Sequence, residues 1–259
     1  MIGLMKKHMD LTSEAKVLDI ACGKGPVAIK IAKELGITVQ GYDILPAFIE
    51  EAKLKAQEWG VGHLCSFVCA DANEVIDTER DYDCVILGGA GCILGSPRQT
   101  MAKLAATIKP GGCFLYDEAY LADESSLGAM KYEGHDYLTR GQWLSVFDAC
   151  GLTLVEELQN IDESELDKGN LAIALRCAEL AVEYPEKRAM FEGYVQSQLD
   201  ESDDLLHNMV AVTWMLQKKD PASSENCSSG NDIQGENAPG NNDHANTGHG
   251  KINHGKISH

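Results

Sequence analysis

Val17-Leu18-Asp19-Ile20-Ala21-Cys22-Gly23-Lys24-Gly25-Pro26 is the stretch whose reading decides the fold. An apolar run ends in an acid, small residues follow, and Pro26 opens an amphipathic segment. This is the pattern of a buried parallel strand that runs through a tight turn into a helix. Gly23 and Gly25 allow close backbone approach. Pro26 is preset for the first helical position. Val27, Ala28, Ile31, Ala32 and Leu35 recur at helical spacing until Gly36 stops the helix. Such a turn makes a nucleotide-sized site, because a ligand can lie over the glycines beside a helix N-terminus.

Outward from this turn the chain alternates strand and helix, the mark of an α/β fold. Thr38 to Asp43 reads as a second strand, again ending in an acid, 24 residues after Asp19. Leu45 to Trp59 is predicted helical, opened by Pro46 and stopped by Gly60. Cys65 to Ala70 is the third strand and leads into Asp71-Ala72. Tyr82 to Leu87 is the fourth, leaving through Gly88-Gly89-Ala90-Gly91, where three glycines admit something close to the backbone. Pro97 to Ile108 is helical, and Lys109-Pro110-Gly111-Gly112 turns into a fifth strand, Cys113 to Tyr116. The segment from Asp117 to Leu138 is long for a connection and carries Glu118, Tyr120, Tyr132, Glu133, His135, Asp136 and Tyr137, as a lid or binding loop does. Thr139 caps a helix through Ala149. Leu152 to Val155 and Leu171 to Leu175 are expected to form a hairpin closing the sheet. Residues 178–218 are expected to be extra helices split by Pro185, the last of them strongly apolar from Leu205 to Leu216. That helix either buttresses the sheet or covers a substrate. From Pro221 the composition turns to Ser, Asn, Gly, Asp and His, and the chain ends in a five-residue histidine repeat. This tail cannot bury a core. It reads as dispensable, with adventitious metal binding as its alternative; no metal site is expected elsewhere. The expected organisation is a nucleotide-type domain over 1–177, a helical extension over 178–219 and a disordered tail over 220–259.

The acids select the ligand. Gly23-x-Gly25-x-x-Ala28 matches the dinucleotide fingerprint. A carboxylate at the strand end would, however, repel a pyrophosphate. Asp19-x-Ala21-x-Gly23-x-Gly25 matches the first motif of the class I S-adenosylmethionine (SAM) methyltransferases, whose cofactor has a sulfonium and an ammonium and no phosphate. An acid at Asp43 suits the two ribose hydroxyls. Asp71 suits the adenine amine, with the adjacent amides on the ring; its alternative role is to cap the next turn. The helix–Lys109-Pro-Gly-Gly112–strand phrase is a second feature of the same family. Motif by motif, Lys16 to Cys177 resembles a class I SAM-dependent methyltransferase of the small-molecule type, similar to the ubiquinone/menaquinone-biosynthesis group.

The resemblance implies a Rossmann-like, mostly parallel seven-stranded sheet flanked by helices, with the last strand antiparallel. It implies SAM as cofactor and methyl transfer to a small-molecule acceptor by in-line displacement. The implied cofactor-binding residues are Asp19, Ala21, Cys22, Gly23, Gly25, Asp43, Ile44, Asp71, Ala72 and Gly88. Glu118, Tyr120, Tyr132 and His135 are candidates for acceptor contacts, and no catalytic residue is assigned. Ala21 departs from the family, standing where the motif's first glycine usually does. The first strand begins only about fifteen residues into the sequence, so a lid is expected mainly from residues 118–138 and 178–218.

Composition narrows the rest. With 259 residues and a formal charge of -18, the chain repels polyanions, which speaks against nucleic acid as a partner. No run approaches the roughly 20 apolar residues of a membrane helix, so membrane insertion is not expected. Nine cysteines without a Cys-x-x-Cys pair point to a reducing, cytoplasmic setting. Cys22 and Cys92 are read as packing residues rather than reactive thiols. Two other functions stay in view: a non-catalytic SAM-binding relative, and an NAD-dependent oxidoreductase.

Overall fold

The computed structural model describes residues 1–91, 93–132, 136–159 and 161–220. The strands are β1 (Lys16–Ile20), β2 (Thr38–Asp43), β3 (Cys65–Cys69), β4 (Tyr82–Gly88), β5 (Ile108–Leu121), β6 (Leu152–Gln159) and β7 (Met209–Lys218). Among the described residues they form one seven-stranded sheet in the order β3-β2-β1-β4-β5-β7-β6. Strands β1 to β5 pair in parallel, while β7 runs antiparallel to both β5 and β6. The expected Rossmann-like sheet with an antiparallel last strand is therefore present.

Period-two alternation divides the core into two layers. Val17, Cys84, Ile86, Leu115 and Met215 point to one face. There they meet α1 (Ile2–His8), α2 (Pro26–Leu35) and α3 (Pro46–Glu58) through Met5, Ile31 and Ile49. Leu18, Ile20, Val85, Leu87, Phe114 and Trp214 point to the other face. That layer is covered by α5 (Pro97–Thr107) and α6 (Arg140–Ala149) through Met101, Leu104, Trp143 and Phe147. Capping boxes Ser96/Gln99 and Thr139/Gln142 start α5 and α6, so these helices begin where their sequences place them. The short α4 (Ala72–Val75) follows β3.

The carboxyl-terminal third differs from expectation. Leu171 to Leu175 is not a strand; it lies inside α7 (Glu163–Glu183), which Asp162 caps by accepting from Ser164 N. A short apolar run alone does not separate a strand from a helix. Leu205 to Leu216 is not a helix either. α8 (Arg188–His207) stops, and Met209 to Lys218 becomes β7. Its Val-Thr-Trp-Met-Leu run is buried on both sides because β7 is interior, as continuous apolar β-branched and aromatic runs in buried strands are. The partner of β6 is thus β7, with the α7–α8 hairpin inserted between them in sequence. The boundary expected after Cys177 falls inside α7, and residues 209–218 belong to the sheet rather than to an extension. The tail expectation falls on 221–259, outside the described residues.

Trp214 is fully buried, stacks on Tyr120 with centroids 5.9 Å apart, meets Phe147 edge-on at 5.1 Å, and donates its indole N–H to Glu157 at 3.0 Å. Trp214→Ala is expected to destabilise the protein by roughly 3–5 kcal/mol in urea unfolding. A loss below about 1 kcal/mol would contradict a central role for β7.

Candidate functional site

The turn after β1 is built from an unusual backbone. Ala21, Gly23 and Gly25 take φ of 56°, 55° and 72°. An alanine held there costs roughly 1–2 kcal/mol, and strain of this kind collects at functional sites. The two glycines serve different ends. A Cβ on Gly25 would lie 2.7 Å from Phe67 Cζ and 3.2 Å from Ala52 Cβ. The β3 ring of Phe67 also leaves no room for a Cβ on Gly41 of β2, and Cys22 Sγ closes the same space at 3.0 Å. A Cβ on Gly23 would meet nothing within 4 Å. Gly25 therefore admits a core ring, while Gly23 presents bare backbone to open space. Cys22 is buried and its thiol is pushed up by burial and by Asp19, so it is a packing residue and not a nucleophile.

Three carboxylates stand at the strand ends. Asp19 is 4% exposed, and no salt bridge reaches it among the described residues. Burial pushes its carboxyl up to about 7; the Ala28 backbone amide opposes this and Asp43 reinforces it. Asp43 accepts from Gly23 N at one oxygen and from Leu45 N at the other, both at 2.9 Å. Each of its oxygens keeps one accepting direction. Asp71 caps α4 by accepting from Asn73 N at 2.8 Å. Ile44 is 62% exposed beside Asp43, an apolar surface at the sheet's carboxyl edge. Ala72 opens α4 and Gly88 closes β4, where a Cβ would sit 3.3 Å from Met1 Cε.

Two concavities meet beyond these groups. A groove of about 830 Å³ runs between α1 and α2, past Met1, Pro26 and Val27, to Asp117 and Thr213. A pocket of about 470 Å³ lies beyond Gly89-Ala90-Gly91, lined also by Asp117, Glu118, Tyr132, Glu201 and Leu205. Asp117 belongs to both. It accepts the Thr213 hydroxyl, and burial raises its carboxyl above the usual range. Glu118 accepts from Tyr116 Oη at 2.5 Å and from Ala119 N at 3.0 Å. Asp204 of α8, 1% exposed, accepts from the amides of Lys131 and Tyr132 at 2.8 Å, and from Asn208 Nδ2 at 2.9 Å. That carboxylate ties the segment after β5 to α8 as the two sides of one pocket.

The structure brings Glu118 and Tyr132 to the lining of one pocket. Tyr120 does not line that pocket: one pleat further along β5 it is buried against Trp214, with its hydroxyl donated to Glu157 at 3.1 Å. His135, Glu133 and Cys92 lie outside the described residues. Thr213, Glu201 and Leu205 were not anticipated. Reading 205–216 as a helix hid Thr213; the strand-like Val-Ala-Val-Thr-Trp run could have placed it.

Residues 17–112 match the family model described as a methyltransferase domain. The uncharacterized protein YjhP of Escherichia coli K12 is 30% identical over 146 residues, covering 54% of this chain and 58% of that protein. The demethylmenaquinone methyltransferase of Chlorobaculum tepidum is 29% identical over 108 residues, 42% of each chain. The chain thus spans about half the length of the curated relatives it matches. A SAM-dependent methyltransferase from Geobacter sulfurreducens, solved with S-adenosyl-L-homocysteine, superposes with a TM-score of 0.70 at 23% identity, covering 84% of this chain and 90% of that one. Its fold is shared. Residues 17–112 thus match a methyltransferase domain, and the chain shares the fold of a SAM-dependent methyltransferase.

Gly25→Ala is expected to destabilise by roughly 2–4 kcal/mol, combining backbone strain with the clash on Phe67, whereas Gly23→Ala costs only the strain of roughly 1–2 kcal/mol. Equal losses in chemical unfolding would refute the division of labour between the two glycines. Asp19 gives a pH-dependent prediction. Its carboxyl titrates near 7 folded and near 3.8 unfolded, so the folded state holds the extra proton and stability falls as pH rises through that window. The stability advantage of Asp19→Asn over the parent is expected to grow by about 2–3 kcal/mol between pH 5 and pH 8. Parallel stability–pH curves for the two proteins would contradict it.

Proposed function

We propose that this protein transfers the methyl group of SAM to a small-molecule acceptor. The observation that carries the reading is the pairing of an open backbone at Gly23 with the half-used carboxylate of Asp43. The bare turn leaves space for the methionine portion and the ribose. Asp43, already fixed by two amides, retains one accepting direction on each oxygen for two neighbouring ribose hydroxyls. Asp19, buried without a cation, favours a ligand that brings positive charge. Ile44 offers an apolar surface for the adenine, and Asp71-Ala72 the polar groups at its edge. Cys22, Ala21, Gly25 and Gly88 shape the backbone around it. The demethylmenaquinone methyltransferase named above is a relative with a small-molecule acceptor, which supports the same class here.

When bound, SAM supplies an activated methyl on a sulfonium, which leaves as a neutral thioether. The chain's part is to align an acceptor with that methyl and keep water out. Orientation of this kind contributes roughly 7–11 kcal/mol in favourable cases. The pocket bounded by Glu118, Tyr132, Glu201 and Leu205 is the proposed acceptor site, and its volume of about 470 Å³ suits a small molecule. The net charge of -18 disfavours nucleic acid as acceptor. Among the described residues seven cysteines are unpaired, which supports a reducing, cytoplasmic location.

Calorimetric titration with SAM and with S-adenosylhomocysteine tests the reading. Micromolar binding of both is expected. Asp43→Ala is expected to weaken binding by about 1.5–3 kcal/mol, the scale of hydrogen bonds to a charged group. No binding of either ligand to the parent protein would overturn the proposal, and an unchanged affinity in Asp43→Ala would overturn the ribose assignment.

A further inference from the structure

Beside Asp71 a chain of hydrogen bonds ties together three segments that are far apart in sequence. Asn73 donates twice to one oxygen of Asp71, from its backbone N at 2.8 Å and from Nδ2 at 3.3 Å. The same Nδ2 donates to the carbonyl of Ile93 at 2.8 Å. The other atom of that amide, Oδ1, accepts from Lys103 Nζ of α5 at 3.1 Å, and Lys103 also donates to the Leu94 carbonyl at 2.9 Å. Chemistry fixes the orientation of the Asn73 amide. The ammonium can only donate and faces Oδ1, while the carboxylate and the carbonyl can only accept and face Nδ2. The buried Met101 and Leu104 on either side of Lys103 anchor α5 on the core. In a chain with 40 acidic residues, the Lys103 ammonium is held by two neutral oxygens and pairs with no carboxylate among the described residues.

We propose that Asn73 and Lys103 are positioning residues for the adenine of the cofactor, and that through Asp71 they make the site prefer adenine to a base lacking its exocyclic amine. The inference rests on the SAM reading above and adds to it residues that act through Asp71 rather than by contact. Capping α4 needs one oxygen of Asp71 and one backbone amide, so the Asn73 side chain and Lys103 are additional to the cap. Their effect is to hold one carboxylate oxygen between two donors. This fixes the direction of the second oxygen, which carries no partner among the described residues. An acceptor fixed in direction suits the N–H of an amine and opposes a carbonyl oxygen standing in its place. The same bonds fasten the stretch leaving β4, where Gly89, Gly91 and Gly95 take φ of 60°, 61° and 112° and give the backbone little stiffness of its own. Ile93, 38% exposed, is thereby held within one amide group of Asp71. An apolar surface beside a polar edge is what a purine ring with an exocyclic amine requires.

The full chain is titrated calorimetrically with S-adenosylhomocysteine and with S-inosylhomocysteine, which carries a carbonyl oxygen in place of the exocyclic amine. The parent is expected to bind the adenosyl compound at least about tenfold more tightly, the scale of one hydrogen bond to a charged group. Lys103→Met is expected to cut that preference at least about threefold, and Lys103→Arg, which keeps the donors, to retain most of it. Asn73→Asp keeps the bond to Lys103 but sets an acceptor against Asp71, and is expected to lower the preference as well. The ratio of the two affinities is the readout, because a loosened fold weakens both ligands alike. A parent that binds both compounds equally overturns the proposal. So does a uniform loss of both affinities in the variants, or a preference unchanged in Lys103→Met and Asn73→Asp. Each of these leaves the SAM reading intact, whereas a parent that binds neither compound overturns that reading and this inference with it.

Discussion

A carboxylate buried without a cation is the constraint on which this molecule turns. Asp19 sits at the end of a central strand, flanked by Gly41 of β2 and Ile86 of β4. Burial leaves its charged form poorly solvated, and among the described residues the Ala28 amide is what opposes that cost. Such a group is tolerated where the whole surrounding structure holds it in place. Here that structure is the left-handed turn from Ala21 to Gly25, wedged by Phe67 beneath and open at Gly23 above. Stability is given up at this point, and under the proposed function a positively charged ligand restores it.

The second determinant is the position of β7. By inserting between β5 and β6 it completes the aromatic layer of Tyr116, Trp143, Phe147 and Trp214. It also carries Thr213 to Asp117, which lines both concavities. The hairpin leading into β7 brings α8 across the carboxyl edge, where Asp204 fastens it to Lys131 and Tyr132. The strand that closes the core therefore also delivers one side of the pocket.

The first two-thirds of the fold was legible because each element there carries its own punctuation. Pro26, Pro46 and Pro97 open helices, Gly36 and Gly60 close them, and acids end the strands in the order expected. The glycine turn and the strand-end acids follow from the same local grammar. The last third lacked it. Leu-Ala-Ile-Ala-Leu from Leu171 suits either a short strand or one turn of an amphipathic helix, and only its place inside a capped helix of 21 residues decides. Met209 to Lys218 follows α8 with no glycine or proline between them, so no local break marks the change from helix to strand. Tyr120 was misplaced for a third reason: it shares a strand face with Glu118, but only the packing of β7 and β6 shows that Trp214 and Glu157 cover it.

By itself the sequence determined the α/β class, the glycine turn, the three strand-end acids and the family resemblance they carry, because these depend on residues adjacent in the chain. Tertiary structure alone decided which residues from distant segments share the pocket and that Tyr120 belongs to the core. Those outcomes depend on the insertion of β7 between β5 and β6, a long-range pairing whose partners Trp214 and Tyr116 are separated by nearly the whole carboxyl-terminal half of the described chain. Local propensity carries no record of such a pairing, since it is set by the free energy of closing the sheet and burying both faces of one strand at once.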